Sequence, residues 1–444
     1  MVNVPRAVRA IAERLEAAGF ETWCVGGAVR DALLGHPHLD WDLATAATPD
    51  HVRKLFRRTV PVGLDFGTVG VLDDHGVMHE VTTFRRDVQT DGRHAVVEFG
   101  ASLDDDLARR DFTINAIAAS PTTGEIRDPF GGRADLEKRL VRAVGAPDER
   151  MREDRLRALR AIRFAGRLDF AIEPATWQAI VRSAPHLPRL SRERVKQELE
   201  KTVEQVVCPS RALALWRESG ALGSLIPLLE GQDDIAFVSA DHIPPPGRTR
   251  RPERADTRRS HRILSLFLGL DPVRVRTTLH DLRFSNVDVR TMAKLAEHWI
   301  TLFDVVSSAL TESAEPTDAA IRRWAATTGR TQLAAFLRLA AARWAARRVR
   351  GVPAPAAARA HSVYRRALRI AYRDPIELAD LAVDGEDLQR EGIARGPALG
   401  KILRLLLEWV VEDPQRNTRD QLIDRARSLA PDVERAMGNV KRQG

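Results

Sequence analysis

Apolar and polar residues follow two different periods along the first third of the chain. The segment VPRAVRAIAERLEAAGF repeats apolar residues at helical spacing, which predicts an amphipathic helix near the N-terminus. The segments ETWCVGG, GTVGVLDD and VMHEVTTF are short, apolar and rich in β-branched residues, which predicts buried strands. Because Gly and Asp-Asp turns separate these strands, we expect a mixed α/β head over residues 1–145.

The pattern changes near Pro147, after which strand signals nearly vanish. Segments such as REDRLRALRAIRFAGRL, SRERVKQELEKTVEQVV and KILRLLLEWVVE carry helical periodicity. We therefore expect the fold class α+β, with an α/β head followed by an all-helical body. Pro, Gly and clustered arginines predict linkers or exposed loops at residues 243–260 and 347–360.

Composition and charge narrow the class of protein. The 444 residues are 44% apolar and 29% charged, which is typical of a globular protein. The net charge of +8 and the pI near 10.0 favour a polyanionic partner such as nucleic acid, although a general bias toward arginine and alanine would explain them equally well. The chain has two cysteines, Cys24 and Cys208, which fits a reducing compartment. Because no signal peptide and no apolar run of about 20 residues is visible, we expect a cytoplasmic protein without a membrane span.

The segment CVGGAVRDALLGHPHLDWDLAT, residues 24–45, contains candidate phosphate ligands. Gly26 and Gly27 follow a predicted strand and precede a helix expected to begin near Val29. Glycine lets backbone N–H groups approach a phosphate closely, because no Cβ intervenes. Arg30 lies one turn into the helix, where its guanidinium could bind phosphate oxygens. A Gly-Gly turn by itself is more often structural, so this interpretation depends on the acidic residues later in the segment.

Two aspartates one residue apart strengthen the interpretation. In a strand, residues i and i+2 point to the same face, so Asp40 and Asp42 would converge while Trp41 faces the core. Two carboxylates that close are costly unless a cation lies between them, and hard oxygen ligands suit Mg²⁺. Glu80, in the predicted strand VMHEVTTF, is a third catalytic candidate, since a neighbouring strand could bring its carboxylate to the same metal. The alternatives are a solvated turn for the pair and an edge residue for Glu80.

These motifs resemble the head of the class II tRNA nucleotidyltransferases, the family of CCA-adding enzymes and bacterial poly(A) polymerases. RRDFTINAIA, DPFGGRADLEKRLVRAVG and EDRLRALRAIRFAGRLDF continue the resemblance in order, with a weaker match at SRERVKQELEKTV. The resemblance implies a polymerase-β-like nucleotidyltransferase head over residues 1–145. It further implies a helical neck with a nucleotide-selecting helix and an RNA-binding segment over 146–235, and a tRNA-binding helical body and tail over 236–444. After about residue 230 only the helical character matches.

The resemblance also implies a role for each matching residue. Asp40 and Asp42 match the metal-binding carboxylates. The residues that are candidates for nucleotide binding are Gly26, Gly27, Arg30, Arg110, Asp154, Arg157, Arg160 and Arg163. The implied reaction is two-metal nucleotidyl transfer with Mg²⁺, in which one ion activates the RNA 3′-hydroxyl and the other supports the triphosphate.

The helix expected over residues 152–168 offers a chemical reason for selecting C and A. Asp154 and Arg157 are three residues apart and would be neighbours on one helical face. A carboxylate only accepts hydrogen bonds and a guanidinium only donates them, which matches the amine and ring nitrogen of cytosine or adenine and mismatches uracil and guanine. An isolated pair would more simply be a surface ion pair. Arg160 and Arg163 lie further round the helix, so we expect them to contact the triphosphate or support the pocket.

The expected function is template-independent addition of CCA to tRNA 3′ ends from CTP and ATP. Within the same chemistry, an A-adding, CC-adding or poly(A)-synthesising relative stays open, and from another class a non-catalytic RNA-binding protein. Residues 85–100, RRDVQTDGRHAVVEFG, are interpreted as a flexible loop. In this family a loop here is associated with switching from C to A addition, which favours full CCA addition. The sequence leaves the oligomeric state and the tRNA contact residues open.

Overall fold

A seven-stranded sheet organises the N-terminal part of the chain. The computed structural model describes residues 2–36, 40–90, 95–244, 252–393 and 395–440, which belong to two units, residues 1–230 and 231–444. The sheet belongs to the first unit, and the described residues of the second unit form helices without strands. This arrangement confirms the expected fold class, an α/β head followed by helices.

The first unit contains eleven described strands: β1 (Thr22–Val25), β2 (Asp42–Thr45), β3 (Thr59–Gly63), β4 (Thr68–Leu72), β5 (Met78–Thr83), β6 (Arg85–Thr90), β7 (Ala95–Phe99), β8 (Ala118–Ala119), β9 (Ile126–Arg127), β10 (Leu140–Val141) and β11 (Ala171–Ile172). The main sheet has the order β3-β4-β5-β2-β1-β8-β9, while β6 pairs with β7 and β10 pairs with β11. The three predicted strands correspond to β1, β4 and β5, so these predictions are confirmed.

The helices of the first unit are α1 (Arg6–Ala17), α2 (Gly27–Leu33), α3 (Pro49–Leu55), α4 (Leu103–Ala108), α5 (Gly132–Glu137), α6 (Pro147–Glu153), α7 (Leu156–Leu168), α8 (Pro174–Ser183), α9 (Arg192–Gln205), α10 (Pro209–Glu218) and α11 (Ala221–Leu225). Short 3₁₀ turns include residues Thr113–Asn115 and Ala184–Arg189. The amphipathic helix predicted at the N-terminus is α1, and the one predicted over residues 191–207 is α9.

The register of the central strands brings three chain segments to one edge of the sheet. Strand β1 runs antiparallel to β2, so its last residue, Val25, lies opposite the first residue of β2, Asp42. Strand β5 runs parallel to β2, with Leu43 opposite Val81. Asp42 comes directly before Leu43 on β2, and Glu80 comes directly before Val81 on β5, so the two acidic residues are neighbours across the strands. The turn that comes after β1 therefore lies near Asp42, the first residue of β2, and near Glu80, which is within β5.

Apolar side chains on and around these strands form the core of the head. Trp23, Val25 and Ala44 pack with Phe84, which is 1% exposed. Trp41 is 2% exposed, which confirms its predicted place in the core. A rigid core directly beneath the edge of the sheet positions the polar residues that lie at that edge.

Three local predictions are wrong. Residues 85–90 and 95–99 form the antiparallel strands β6 and β7 instead of a loop, while Gly92 and its neighbours at 91–94 lie outside the described residues. Helix α2 begins at Gly27, two residues earlier than expected. The single helix expected over residues 152–168 is interrupted between α6 and α7, where Asp154 has an extended backbone and its carboxylate accepts a hydrogen bond from the Leu156 backbone N–H at 3.0 Å.

The second unit consists of the helices α12 (Asp234–Asp241), α13 (Pro252–Phe267), α14 (Pro272–Asp281), α15 (Asn286–Thr311), α16 (Asp318–Thr328), α17 (Arg330–Val349), α18 (Ala357–Arg373), α19 (Gly385–Arg390), α20 (Pro397–Glu412) and α21 (Arg419–Val440). Of the linker predicted over residues 347–360, only 350–356 are non-helical, since 347–349 belong to α17 and 357–360 to α18. Residues 252–260 of the other predicted linker belong to α13, and 245–251 lie outside the described residues. Within the described ranges, no helix has the length and apolar character that a membrane crossing demands.

Candidate active site

A cleft of about 680 Å³ opens in the first unit at the edge of the sheet where β1 ends and β2 begins. Its size falls within the roughly 300–1,000 Å³ range of small-molecule sites. Ten of the residues that line it are basic and four are acidic. Such an excess of positive charge in a concave site attracts polyanions such as nucleoside triphosphates and RNA.

Both the backbone conformation and the limited space at the turn after β1 favour glycine at position 26. Gly26 has φ 76° and ψ −138°, a conformation that side chains strongly disfavour. A Cβ at this position would lie 3.0 Å from Nη1 of Arg110, whereas a Cβ on Gly27 would meet Nη2 of Arg30 at an ordinary 3.5 Å. Both glycines line the cleft, so their backbone faces the space where an anion would bind.

The predicted acidic residues do not all lie on the cleft wall. Asp42 and Glu80 are half-buried, and both line the cleft from neighbouring strands. Asp40 is exposed, precedes β2 and is not among the lining residues. The prediction that one strand carries both Asp40 and Asp42 is therefore wrong, because β2 begins at Asp42. The assignment of Asp40 as a metal ligand stays a prediction.

The donor set at Asp42 and Glu80 fits a hard divalent cation. Among the described residues, no group of three or more His, Cys, Asp or Glu side chains has the arrangement of a complete protein metal site. Mg²⁺ is commonly held by only one or two carboxylates, with waters and substrate phosphates as its other ligands, so two carboxylates in a triphosphate-sized cleft suffice. Burial and the neighbouring negative charge of Asp42 raise the pKa of the Cys24 thiol to about 12, which leaves a neutral thiol beneath these acids.

Asp154 and Arg157 both line the cleft, although they do not pair with each other as neighbours on one helix. Asp154 lies in the break between α6 and α7, and its Oδ2 accepts a hydrogen bond from Nη2 of Arg194 at 2.7 Å. Arg157 donates from Nη1 to Oε2 of Glu153 at 2.6 Å and from Nη2 to the carbonyl of Arg109 at 3.0 Å. Each side chain is thus oriented by a different partner, and the helical i,i+3 argument is wrong in its geometry.

A chain of buried polar contacts joins the head to helix α7. Arg160 donates from Nε to Oδ2 of Asp111 at 2.8 Å, and Asn115 donates from Nδ2 to Oδ1 of the same carboxylate at 2.9 Å. Arg30 donates from Nη1 to Oδ1 of Asn115 at 2.6 Å. Burial alone would raise the pKa of Asp111, but the charge of Arg160 and the Asn115 hydrogen bond outweigh it and lower that pKa below its ordinary value.

Two of the predicted nucleotide ligands are largely occupied by protein partners. Arg30 is 1% exposed and pairs with Asp31 at 2.6 Å in addition to its contact with Asn115. Arg163 is 4% exposed and donates to Glu198 at 2.8 Å and to Gln205 at 3.1 Å. Both guanidiniums border the cleft and add positive charge to its wall.

Arg110 is more accessible, with 19% of its side chain exposed beside the Gly26 turn. Its Nη2 donates to the buried Asp106 carboxylate at 3.0 Å, which leaves the guanidinium at the cleft surface. Arg110 and Arg30 both lie against the glycine turn, and Arg110 is the more exposed of the two.

Sequence reasoning missed several residues of the cleft. Asp111 belongs to the RRD segment that the resemblance already marked, so its neighbours were a usable signal. Arg194, Lys201 and Gln205 come from α9, a helix that begins more than twenty residues after the end of α7. Arg194 and Lys201 belong to the weaker match SRERVKQELEKTV, which was their one signal, and nothing local marks Gln205.

Family models match three successive parts of the chain. The model described as "Poly A polymerase head domain" matches residues 22–142. The model described as "Probable RNA and SrmB-binding site of polymerase A" matches residues 169–232, and a model of tRNA nucleotidyltransferase domain 2 matches residues 258–426.

Individual relatives extend this similarity over nearly the whole chain. A CCA-adding enzyme of Limosilactobacillus fermentum is 34% identical over 425 residues, covering 95% of this chain and 96% of that protein. A CCA-adding enzyme of Lactiplantibacillus plantarum is 49% identical over 198 residues, which cover 44% of this chain and 48% of that protein. The crystal structure of the Bacillus stearothermophilus CCA-adding enzyme in complex with CTP matches with a TM-score of 0.75 and 31% identity, covering 96% of this chain and 98% of that one.

Proposed function

The chain belongs to the CCA-adding enzyme family of tRNA nucleotidyltransferases, and from this premise we propose that it adds CCA to the 3′ end of tRNA from CTP and ATP without a nucleic-acid template. The observation that carries the proposal is the composition of one cleft. A glycine turn, two strand-borne carboxylates and the Asp154 and Arg157 side chains line the same space. Phosphate binding, metal binding and base selection therefore act on one bound nucleotide.

Mg²⁺ is the proposed cation, and Asp42 and Glu80 are its proposed ligands. Asp40, which is exposed and comes two residues before Asp42, is a further candidate ligand. The ion would supply charge stabilisation to the triphosphate and lower the pKa of the attacking 3′-hydroxyl. The surrounding arginines neutralise the remaining phosphate charge, and the Gly26–Gly27 backbone binds phosphate oxygens through its N–H groups.

Base selection follows from the fixed hydrogen-bonding character of two side chains. Asp154 accepts from the exocyclic amine of cytosine or adenine, and Arg157 donates to the adjacent ring nitrogen. Arg194 and Glu153 hold these groups in place before the nucleotide binds. Uracil and guanine present an acceptor and a donor in the opposite order, which costs about 1–3 kcal/mol of binding.

The residue roles and the division into head (1–145), neck (146–235) and body with tail (236–444) form part of the same proposal. The similarity of residues 169–232 to an RNA-binding segment supports a neck that contacts RNA. A cytoplasmic location stays a prediction.

Purified protein is tested with tRNA lacking CCA and with each labelled nucleotide. We expect incorporation of C from CTP, followed by a single A from ATP, and neither U nor G. Asp42→Ala and Glu80→Ala should each lower incorporation by about 100-fold or more, because the loss of metal-borne charge stabilisation amounts to several kcal/mol. Asp65→Ala is the matched control, since Asp65 is an exposed carboxylate of the same unit outside the cleft.

The alternatives give different products in the same assay. Long A tails on any RNA indicate a poly(A) polymerase, C alone indicates a CC-adding enzyme, and A added only to tRNA ending in CC indicates an A-adding enzyme. Binding of tRNA without incorporation of any nucleotide indicates a non-catalytic RNA-binding protein. Full activity of Asp42→Ala would contradict the assignment of the metal ligands.

A further inference from the structure

A second, smaller cavity of about 160 Å³ lies in the first unit between α6 and α8. It shares no lining residue with the nucleotide cleft. Helix α6 and the junction after it contribute Asp148, Arg152 and Arg155, while α8 contributes Arg182 and Ser183. The volume is about five times the roughly 30 Å³ that a water molecule occupies in the liquid, enough for a phosphate group with its nearest substituents.

The charges around this cavity are unbalanced. Asp148 is the one carboxylate among its lining residues, and Arg182 already binds both of its oxygens, at 2.9 and 2.8 Å. Within the described part of the chain, Arg155 forms no ion pair. Arg152 donates to the backbone carbonyl of Asp148 at 3.2 Å, and its charge adds to that of Arg182 in lowering the pKa of the Asp148 carboxylate. Partial burial, and then the like charge of Arg189, lower the pKa of Arg155. Three arginines beside a single carboxylate leave a surplus of positive charge, which favours an anion in the cavity.

A buried hydroxyl in the same cavity lacks a partner. Ser183 is 4% exposed, and its Oγ makes no hydrogen bond to any described residue. Buried hydroxyl groups in proteins are nearly always hydrogen-bonded, because leaving one unsatisfied costs stability. Ser183 lines the cavity, so rotation about its Cα–Cβ bond would let an anion oxygen there accept this hydrogen bond. The observation is independent of the charge imbalance and indicates the same class of ligand.

We propose that this cavity is a phosphate subsite that binds the backbone of the RNA substrate outside the nucleotide cleft. The proposal rests on the proposed function, which supplies RNA as the partner. Arginine forks match phosphate oxygens bidentately, and Ser183 adds a neutral donor. Arg155 lines this cavity, while its two neighbours along the chain, Asp154 and Leu156, line the nucleotide cleft. RNA bound at Arg155 would therefore contact the same segment of the chain that contacts the nucleotide. Free phosphate has the same chemistry and is the other source to be distinguished.

The test measures binding of tRNA lacking CCA, by fluorescence anisotropy, at several salt concentrations. Arg155→Ala should weaken binding about tenfold and lower the slope of log affinity against log salt by about one, because one phosphate contact is lost. Ser183→Ala should weaken binding about two- to fivefold at unchanged slope, because it removes a neutral donor. CTP affinity, measured by calorimetry, should stay the same in both variants. Arg9→Ala is the matched control, an exposed arginine of α1 away from both cavities.

Several outcomes would overturn the proposal. One is an Arg155→Ala variant that binds tRNA with the affinity and salt slope of the wild type. Another is inorganic phosphate binding that depends on Arg155 while tRNA binding does not, which would assign the cavity to free phosphate. Should Arg155→Ala misfold, Arg155→Gln replaces it, because it keeps most of the side-chain length without the charge. If the wild-type protein adds no nucleotide but Arg155→Ala still weakens tRNA binding, the proposed function alone is contradicted. If the protein adds CCA normally and Arg155→Ala leaves tRNA binding unchanged, this subsite alone is contradicted.

Discussion

Replacing Gly26 by alanine tests whether the turn after β1 requires the backbone conformation that glycine adopts there. At φ 76° and ψ −138°, an alanine carries strain of about 1–3 kcal/mol. Its Cβ would also lie 3.0 Å from Nη1 of Arg110, so the guanidinium must shift by a few tenths of an ångström. We expect Gly26→Ala to lose about 2 kcal/mol of stability, which for a unit of about 230 residues lowers the melting temperature by about 4–8 °C. The affinity for CTP should fall as well, since Arg110 lines the cleft.

The adjacent glycine provides the control. Gly27 is the first residue of α2, and an added Cβ meets only the end of the flexible Arg30 side chain at 3.5 Å. Gly27→Ala should therefore keep or slightly raise the melting temperature, because alanine has the higher helix propensity by about 1 kcal/mol. Differential scanning calorimetry gives the melting temperatures, and isothermal titration gives the CTP affinities. A Gly26→Ala protein that melts and binds CTP like the wild type would refute the reasoning.

Three further predictions concern side chains of the first unit. Asp111→Asn should cost about 1–3 kcal/mol in urea unfolding, because it leaves the half-buried guanidinium of Arg160 without its carboxylate partner. Since folding lowers the pKa of Asp111, the contribution of this carboxylate is complete above about pH 4 and is lost as the pH falls further, so the variant should show a flatter acid limb. Cys24, with a pKa of about 12, should resist alkylation at pH 8 while the half-buried Cys208 reacts, as peptide mass spectrometry of native protein would show. Arg157→Ala should reduce discrimination against UTP by about 10- to 100-fold in competition assays, and Glu153→Gln should do so more weakly because it removes only the group that orients the guanidinium.

Much of the head could be predicted from local patterns. The amphipathic helix α1 and the strands β1, β4 and β5 follow from apolar periodicity. The spacing of apolar residues within a short element shows which of its faces is buried. The order of the motifs was enough to indicate the family, since each motif is a contiguous stretch of residues. The errors occurred where hydrogen bonds override periodicity, as at Asp154, whose carboxylate accepts a hydrogen bond from the Leu156 backbone N–H at the interruption of an otherwise helical pattern.

The sequence by itself determined which segments carry acids, glycines and arginines, and it placed the Gly26 turn at the end of a strand. Only the tertiary structure decided which of these groups meet. Asp42 and Glu80 become neighbours because β2 and β5 run in parallel, and Asp111 pairs with Arg160 across forty-nine positions of the chain. Such contacts depend on the packing of distant elements around a common core, and periodicity within any single element carries no information about them.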